Sequence, residues 1–233
     1  MCGRYVTPEE AEIERYWHIG SRNAGRWIRR GFNVAPTTLV PILRESVGGQ
    51  LELLPARWGL IPFWWKEETP PRFSFNARSE EAASKPMWRQ ALHSTRCLMP
   101  AVGWYEWNER ESVRNPAGRL VHQPYYIHPA DDELLAFAGL WSVWQSPSGE
   151  EVLSCAMLTR AATPALEAIH TRMPVVLGRE QQDAWLAPQL SPKEVAALVD
   201  KAGPALVGHR VSLLVNRQEN DGVELIEPLP GDK

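Results

Sequence analysis

Seven short runs of β-branched, aromatic and other apolar residues recur along this chain, and no long helical patterns separate them. They are Leu39 to Leu43, Leu51 to Leu60, Arg96 to Trp107, Pro124 to Ile127, Leu134 to Trp141, Val152 to Thr159 and Val211 to Val215. Each reads as a strand. Parallel βαβ units require a crossover helix between successive strands, and that alternation is missing, so a doubly wound sheet is disfavoured. The pattern predicts an α+β fold of mainly antiparallel sheets in a barrel-like arrangement with peripheral helices.

Helix signals are few. Thr7-Pro8-Glu9-Glu10 supplies an N-cap, a first-turn proline and a capping-box glutamate, predicting a helix that runs toward His18. Ser191-Pro192-Lys193-Glu194 repeats the device, Thr163-Pro164 opens a short helix ending near His170, and another helix is expected to begin near Ser79. At 233 residues the chain can bury a substantial core. No internal repeat or low-complexity linker divides it, which predicts one domain over 1–233 with a flexible tail from about residue 228. Most of the 11 tryptophans sit in or beside predicted strands and read chiefly as core.

A formal net charge of −3 excludes coating of nucleic acid by bulk electrostatics, so any contact with DNA must come from a local patch. Arg4, Arg22, Arg26, Arg29 and Arg30 offer such charge early in the chain, although Arg26 to Arg30 also read as a solvated helix face. The three cysteines, Cys2, Cys97 and Cys155, lack CxxC spacing. Neither a disulfide framework nor a zinc site is expected, nor any cofactor. The first ten residues lack a basic segment followed by an apolar one, and no run approaches the ~18 apolar residues of a membrane span. A cytoplasmic monomer without a membrane partner is expected.

Cys2 stands out by position. Loss of Met1, which a small second residue permits, makes it an N-terminal 1,2-aminothiol whose amine titrates far below a lysine ammonium. A neutral amine attacks aldehydes, and the adjacent thiolate can then close a five-membered thiazolidine ring. The plain alternative is a cysteine in a disordered terminus. Glu106 lies in Pro100-Ala-Val-Gly-Trp-Tyr-Glu-Trp107, where strand alternation puts Val102, Trp104 and Glu106 on one face. It reads either as a proton carrier with a pKa raised by apolar neighbours or as an edge-strand carboxylate turned to water. His170, at the expected helix C-terminus, is a candidate proton donor or a surface histidine.

Asn76 and Arg78 share one face if their segment is extended, which suits a phosphate or sugar oxygen; the plain alternative is a turn amide and a solvated arginine. Trp64 and Trp65 follow a predicted strand and precede Lys66-Glu67-Glu68, an aromatic loop able to stack on unpaired bases or simply to cover a sheet end.

Seven segments taken in order resemble the SOS response-associated peptidase family, also called abasic site processing or SRAP proteins. They are Met1-Cys-Gly-Arg-Tyr5, Asn33-Val-Ala-Pro36, Trp58-Gly-Leu-Ile-Pro62, Asn76-Ala-Arg-Ser-Glu80, Gly103-Trp-Tyr-Glu-Trp107, Phe137-Ala-Gly-Leu-Trp141 and Ile169-His-Thr-Arg-Met-Pro174. The resemblance implies a single α+β domain whose Cys2 crosslinks to the aldehyde of abasic sites in single-stranded DNA. It further implies that Asn76 holds the opened sugar, that Glu106 transfers protons and that His170 assists as an acid or by orienting the sugar. Arg4, Arg78 and Arg172 would face phosphates, and the protein would join the nucleoid when bound to DNA. Removal of its own Met1 and lyase cleavage of the abasic strand are further expectations. Two departures stand out: Glu81 replaces an expected hydroxyl residue, and Ile19 to Arg30 looks like an insertion. The competing readings are an N-terminal-nucleophile amidase or peptidase, and a non-catalytic single-stranded DNA binding module built on Trp64, Trp65 and the arginines.

Overall fold

The computed structural model describes residues 2–20, 30–188 and 190–232. At its centre is a closed barrel. The hairpin of β2 (Leu39–Glu45) and β3 (Leu51–Trp58) pairs from Leu39↔Arg57 to Glu45↔Leu51. β2 meets β5 (Arg96–Ala101), β5 meets β8 (Leu135–Gln145) and β8 meets β9 (Glu151–Ala161), all antiparallel. One parallel contact closes the ring, with Arg57 and Trp58 beside Ser154 and Cys155. No hairpin can make a parallel pair, so the intervening chain must travel round the barrel first. Closure also removes the exposed edges that these strands would otherwise present.

Short strands extend the ring. β4 (Asn76–Arg78) runs parallel to β9 beyond the end of β3, β10 (Arg172–Pro174) pairs with the last residues of β9, and β11 (Val176–Leu177) pairs with β8. A second, four-stranded antiparallel sheet has the order β1 (Tyr5–Val6), β6 (Gly103–Arg114), β7 (Leu120–Pro129) and β12 (Leu206–Arg210).

Strand alternation sorts the core. On β5, Cys97 and Met99 point into the barrel, where they join Trp58, Phe137, Cys155 and Met157, while Leu98 points outward. Tyr5 and Trp104 from the second sheet cap this interior, edge-on to Trp58 and Phe137 at 5.2 and 5.8 Å. Outside, α1 (Glu10–Tyr16), α3 (Pro86–Ser94), α4 (Arg179–Leu186) and α5 (Pro192–Asp200) cover Leu98, Leu140 and Leu158 with Ile13, Trp88, Trp185 and Val195. α2 (Ser79–Ala82) follows β4 directly. Among the described residues no helix is long and apolar enough to cross a membrane.

The α+β barrel is the expected class, but several elements differ from the sequence expectation. The run Arg96 to Trp107 is two strands in two sheets, broken at Val102, whose N–H bonds the Val6 carbonyl. Val102 therefore packs with Tyr105 and not with Trp104 and Glu106. The first helix starts at Glu10 with Glu9 as N-cap, because the Thr7 hydroxyl is taken by the Gly31 N–H. It ends at Tyr16, before His18, which adopts a left-handed φ of 54°. Thr163 to His170 forms turns and no assigned helix. Val211 to Val215 is not a strand: β12 ends at Arg210, and Ser212 caps a 3-10 turn over Leu213–Asn216 that buries Val211 and Val215. Beyond residue 228, Asp232 bonds Arg210 and the Leu229 N–H bonds the Arg210 carbonyl. Ser191 caps α5 as its sequence predicts, with Glu194 closing the box.

Candidate active site

The site lies on the seam between the second sheet and the β9 side of the barrel. β1 pairs with β6, Tyr5 opposite Trp104, and this brings the residues before Tyr5 alongside the face of β6 that carries Trp104 and Glu106. β4 brings Asn76 opposite Met157, while the turn leading into β10 delivers His170.

Cys2 is 1 % exposed. Its carbonyl accepts a hydrogen bond from Asn76 Nδ2 at 2.8 Å, and its thiol is hydrogen-bonded to the Glu106 carboxylate. Burial, reinforced by the negative charge of Glu106, pushes the thiol well above the ordinary thiol range. Burial therefore favours the protonated thiol over the thiolate. Glu106 is the carboxylate beside it. It is fully buried, and burial raises its pKa while His170 pulls in the opposite direction. The open choice between proton carrier and edge-strand carboxylate falls to a buried carboxylate.

His170 Nε2 lies 3.8 Å from Glu106 Oε2. His170 Nδ1 lies 3.0 Å from both the backbone nitrogen and the carbonyl oxygen of Arg172, so one residue's backbone holds the ring with Nε2 facing the carboxylate. The helix C-terminus expected to support an imidazolium is absent here, and backbone contact with Arg172 orients the ring. Asn76 Oδ1 is buried without a hydrogen-bond partner among the described residues. Such a group costs about 1–3 kcal/mol and is ready to accept from an incoming hydroxyl or amine. Among the described residues no cluster of three His, Cys, Asp or Glu is arranged to hold a metal.

The remaining sequence candidates are distributed unevenly. Arg78 is exposed at the end of β4, on the same side as Asn76, with Glu81 as a charged neighbour. Arg172 is engaged by Glu80 and by Thr159. Arg4 is half-buried and binds Asn33 Oδ1 at 2.8 Å and the Val215 carbonyl at 2.9 Å through Nη1. Arg22, Arg26 and Arg29 lie outside the described residues, as does most of the segment from Ile19 to Arg30; Arg30 pairs with Glu12.

The aromatic loop spans residues 59–75 between β3 and β4, so its far end leads into Asn76. Trp64 is 42 % exposed, and Phe63 beside it is more so. Trp65 is half-buried, its Nε1 donating to the Thr69 carbonyl at 3.0 Å and its own carbonyl accepting from Trp144 Nε1 at 2.7 Å. The tandem therefore splits into one more exposed ring, tilted against its neighbour with 6.1 Å between centroids, and one hydrogen-bonded ring.

Three residues escaped the sequence reading. Phe73 is largely exposed on the same loop at a φ of 57°, and only its place next to Ser74 hinted at it. Glu80 stood inside a recognised motif without a role. Asn33 donates through Nδ2 to the carbonyls of Val215, Arg217 and Asn220 while accepting from Arg4, and no spacing rule signals that hub.

The sequence profile described as SOS response associated peptidase (SRAP) matches residues 1–218. The chain is 33 % identical to the abasic site processing protein YoqW of Bacillus subtilis (strain 168), over 97 % of this chain and 99 % of that one. It is 32 % identical to the abasic site processing protein YedK of Escherichia coli (strain K12), over 98 % and 100 %. A solved structure from Bordetella bronchiseptica superposes with a TM-score of 0.74 at 25 % identity, covering 91 % of this chain and all of that one. With its profile matched across the barrel and the seam alike, this chain belongs to the SOS response associated peptidase (SRAP) family.

Proposed function

We propose that this protein processes abasic sites in single-stranded DNA by forming a covalent crosslink through Cys2 after loss of Met1. The observation that carries this reading is the convergence of Cys2, Asn76, Glu106 and His170 on one buried seam. The names of the whole-length relatives, abasic site processing proteins, support the abasic site as the target.

The chemistry balances without a cofactor. The neutral α-amine of Cys2 adds to C1′ of the ring-opened sugar, forming a carbinolamine. His170 donates a proton to the departing hydroxyl, water leaves, and the resulting iminium returns its N–H proton to His170, so an imine remains. The thiol then adds to the imine carbon as its proton passes to Glu106, the imine nitrogen takes up a proton, and a thiazolidine results. The sum is aldehyde plus aminothiol giving thiazolidine plus water. Asn76 fixes the Cys2 carbonyl with its amide nitrogen, which leaves Oδ1 to accept from the sugar hydroxyl. The same imine acidifies the C2′ proton, so β-elimination of the 3′ phosphate competes with ring closure, giving lyase cleavage as a side path. For Met1, the Cys2 thiol adds to the preceding carbonyl through a five-membered ring, an acyl shift from nitrogen to sulfur frees the amine, and water hydrolyses the thioester.

Denaturing electrophoresis with an abasic single-stranded oligonucleotide tests the reading. Wild type gives a heat-stable shifted band, and Cys2→Ala gives none, with at most an imine that borohydride traps. Equal adduct from Cys2→Ala would assign another nucleophile. Intact mass of the active protein should lack Met1; retention of Met1 in protein that still crosslinks would exclude the thiazolidine route.

A further inference from the structure

Arg172 already holds an anion, and that anion belongs to the same chain. Nη1 donates to Glu80 Oε1 at 2.5 Å and Nη2 to Oε2 at 3.0 Å, a parallel two-point fork. The two partners are seated very differently. The Nη2 of Arg172 is also held by the Thr159 carbonyl at 2.9 Å and the Thr159 hydroxyl at 3.2 Å, and its side chain is 17 % exposed. Glu80 sits on the short helix α2 with its side chain 50 % exposed, and besides Arg172 its carboxylate has, among the described residues, only local bonds, to its own backbone N–H and to Ser79. Thr159 therefore gives the guanidinium a hold that does not depend on the carboxylate. The hydrogen bonds from Arg172 hold the Glu80 carboxyl below its ordinary range, so it stays ionised and competes as an anion.

A guanidinium fork that fits a carboxylate fits two oxygens of a phosphodiester equally well. Position supports the substitution. Glu80 follows Asn76 by four residues and Arg172 follows His170 by two, and β4 and β10 both pair with β9 at Thr159, so the ion pair lies close to the two segments that supply the site.

We propose that Glu80 is an internal stand-in for a DNA phosphate: it occupies Arg172 in the free protein and must be displaced by an entering strand. This rests on the abasic-site reading above. An undamaged strand exchanges one anion for another at Arg172 and gains little. A strand carrying the lesion gains the covalent step as well, so Glu80 widens the margin between the two. The rival role, a residue that positions Arg172 for DNA, predicts the opposite sign when Glu80 is removed.

The test is fluorescence anisotropy with an intact single-stranded oligonucleotide, for wild type, Glu80→Gln, Arg172→Gln and the double variant. Glu80→Gln should bind the intact strand about fivefold more tightly, within the range an exposed ion pair spans, and the gain should vanish in the Arg172→Gln background. Glu80→Ala repeats the comparison without an amide that can bond Arg172. A weaker or unchanged affinity in both Glu80 variants overturns the proposal, as does a gain that persists without Arg172. Crosslinking of wild type to an abasic strand is run alongside. If that adduct forms while the Glu80 variants gain nothing, only the stand-in falls; if wild type forms no adduct, the functional reading falls, and the intact-strand comparison is still decided on its own.

Discussion

At Glu106 the burial that suits proton transfer opposes folding, and pH separates the two effects. The carboxyl ionises near 4.5 when unfolded and higher in the folded chain. Below its unfolded pKa both states hold the proton and the site costs nothing. As pH rises above that value the unfolded chain releases the proton first, so stability falls until the folded carboxyl has ionised too. Glu106→Gln should therefore melt higher than wild type near pH 7, with the difference closing below about pH 4. A gain that stays constant across that range would assign the effect to packing. The same variant should slow adduct formation by roughly 10² to 10⁴-fold, read from time courses on denaturing gels. Asn76→Ala isolates positioning. It removes one hydrogen bond to the Cys2 carbonyl, worth about 1 kcal/mol of stability, and should slow adduct formation by roughly 10 to 100-fold through lost alignment. A full rate in Asn76→Ala would remove the anchor from the mechanism.

Loop 59–75 gives an element-level test because its two tryptophans have separated roles. Trp64→Ala should weaken binding of single strands by about 1–3 kcal/mol, the worth of one stacked base, with little change in melting temperature. Trp65→Ala should instead lower stability, since it breaks the link to Thr69 and loosens the carbonyl that Trp144 uses. Reversed results, affinity lost with Trp65 and stability with Trp64, would exchange the assignments. At the exposed end of β4, Arg78→Ala should reduce the log-log salt slope of DNA binding by about one unit; an unchanged slope would take Arg78 off the strand's path. These elements also mark where sequence reasoning succeeds and stops. Strands with their own apolar runs were readable, because period-two burial is a local property. The turn at Thr163 carries helix-start residues and still forms no assigned helix, and Val211 and Val215 read as a strand although they bury one side of a 3-10 turn. The break at Val102 was invisible for another reason: strand propensity runs through it, and only the pairing with Val6 sends the chain from one sheet to the other.

For the molecule as a whole, the barrel was readable as a class, while its closure was not, since the β3–β9 contact joins residues nearly a hundred positions apart and leaves no local mark. The buried seam shares that character: each of its four residues was a candidate singly, and their meeting depends on tertiary pairing. Closure has a chemical readout. Cys97 and Cys155 lie inside the ring, and burial raises both thiols. Both should resist alkylation in native protein and react at the rate of global opening, with a denaturant dependence equal to that of unfolding; fast native labelling would mean that the ring opens locally. Depth of burial also sets a timetable for Cys2. Its partners Asn76, Glu106 and His170 lie far downstream, so the residue emerges from the ribosome early and waits for them. At about 5–20 residues per second, that wait lasts roughly ten to thirty seconds. During this interval each newly made copy, its amine still joined to Met1, presents its thiol to whatever oxidants the surroundings contain, and a fraction can be spent before the seam has formed around it.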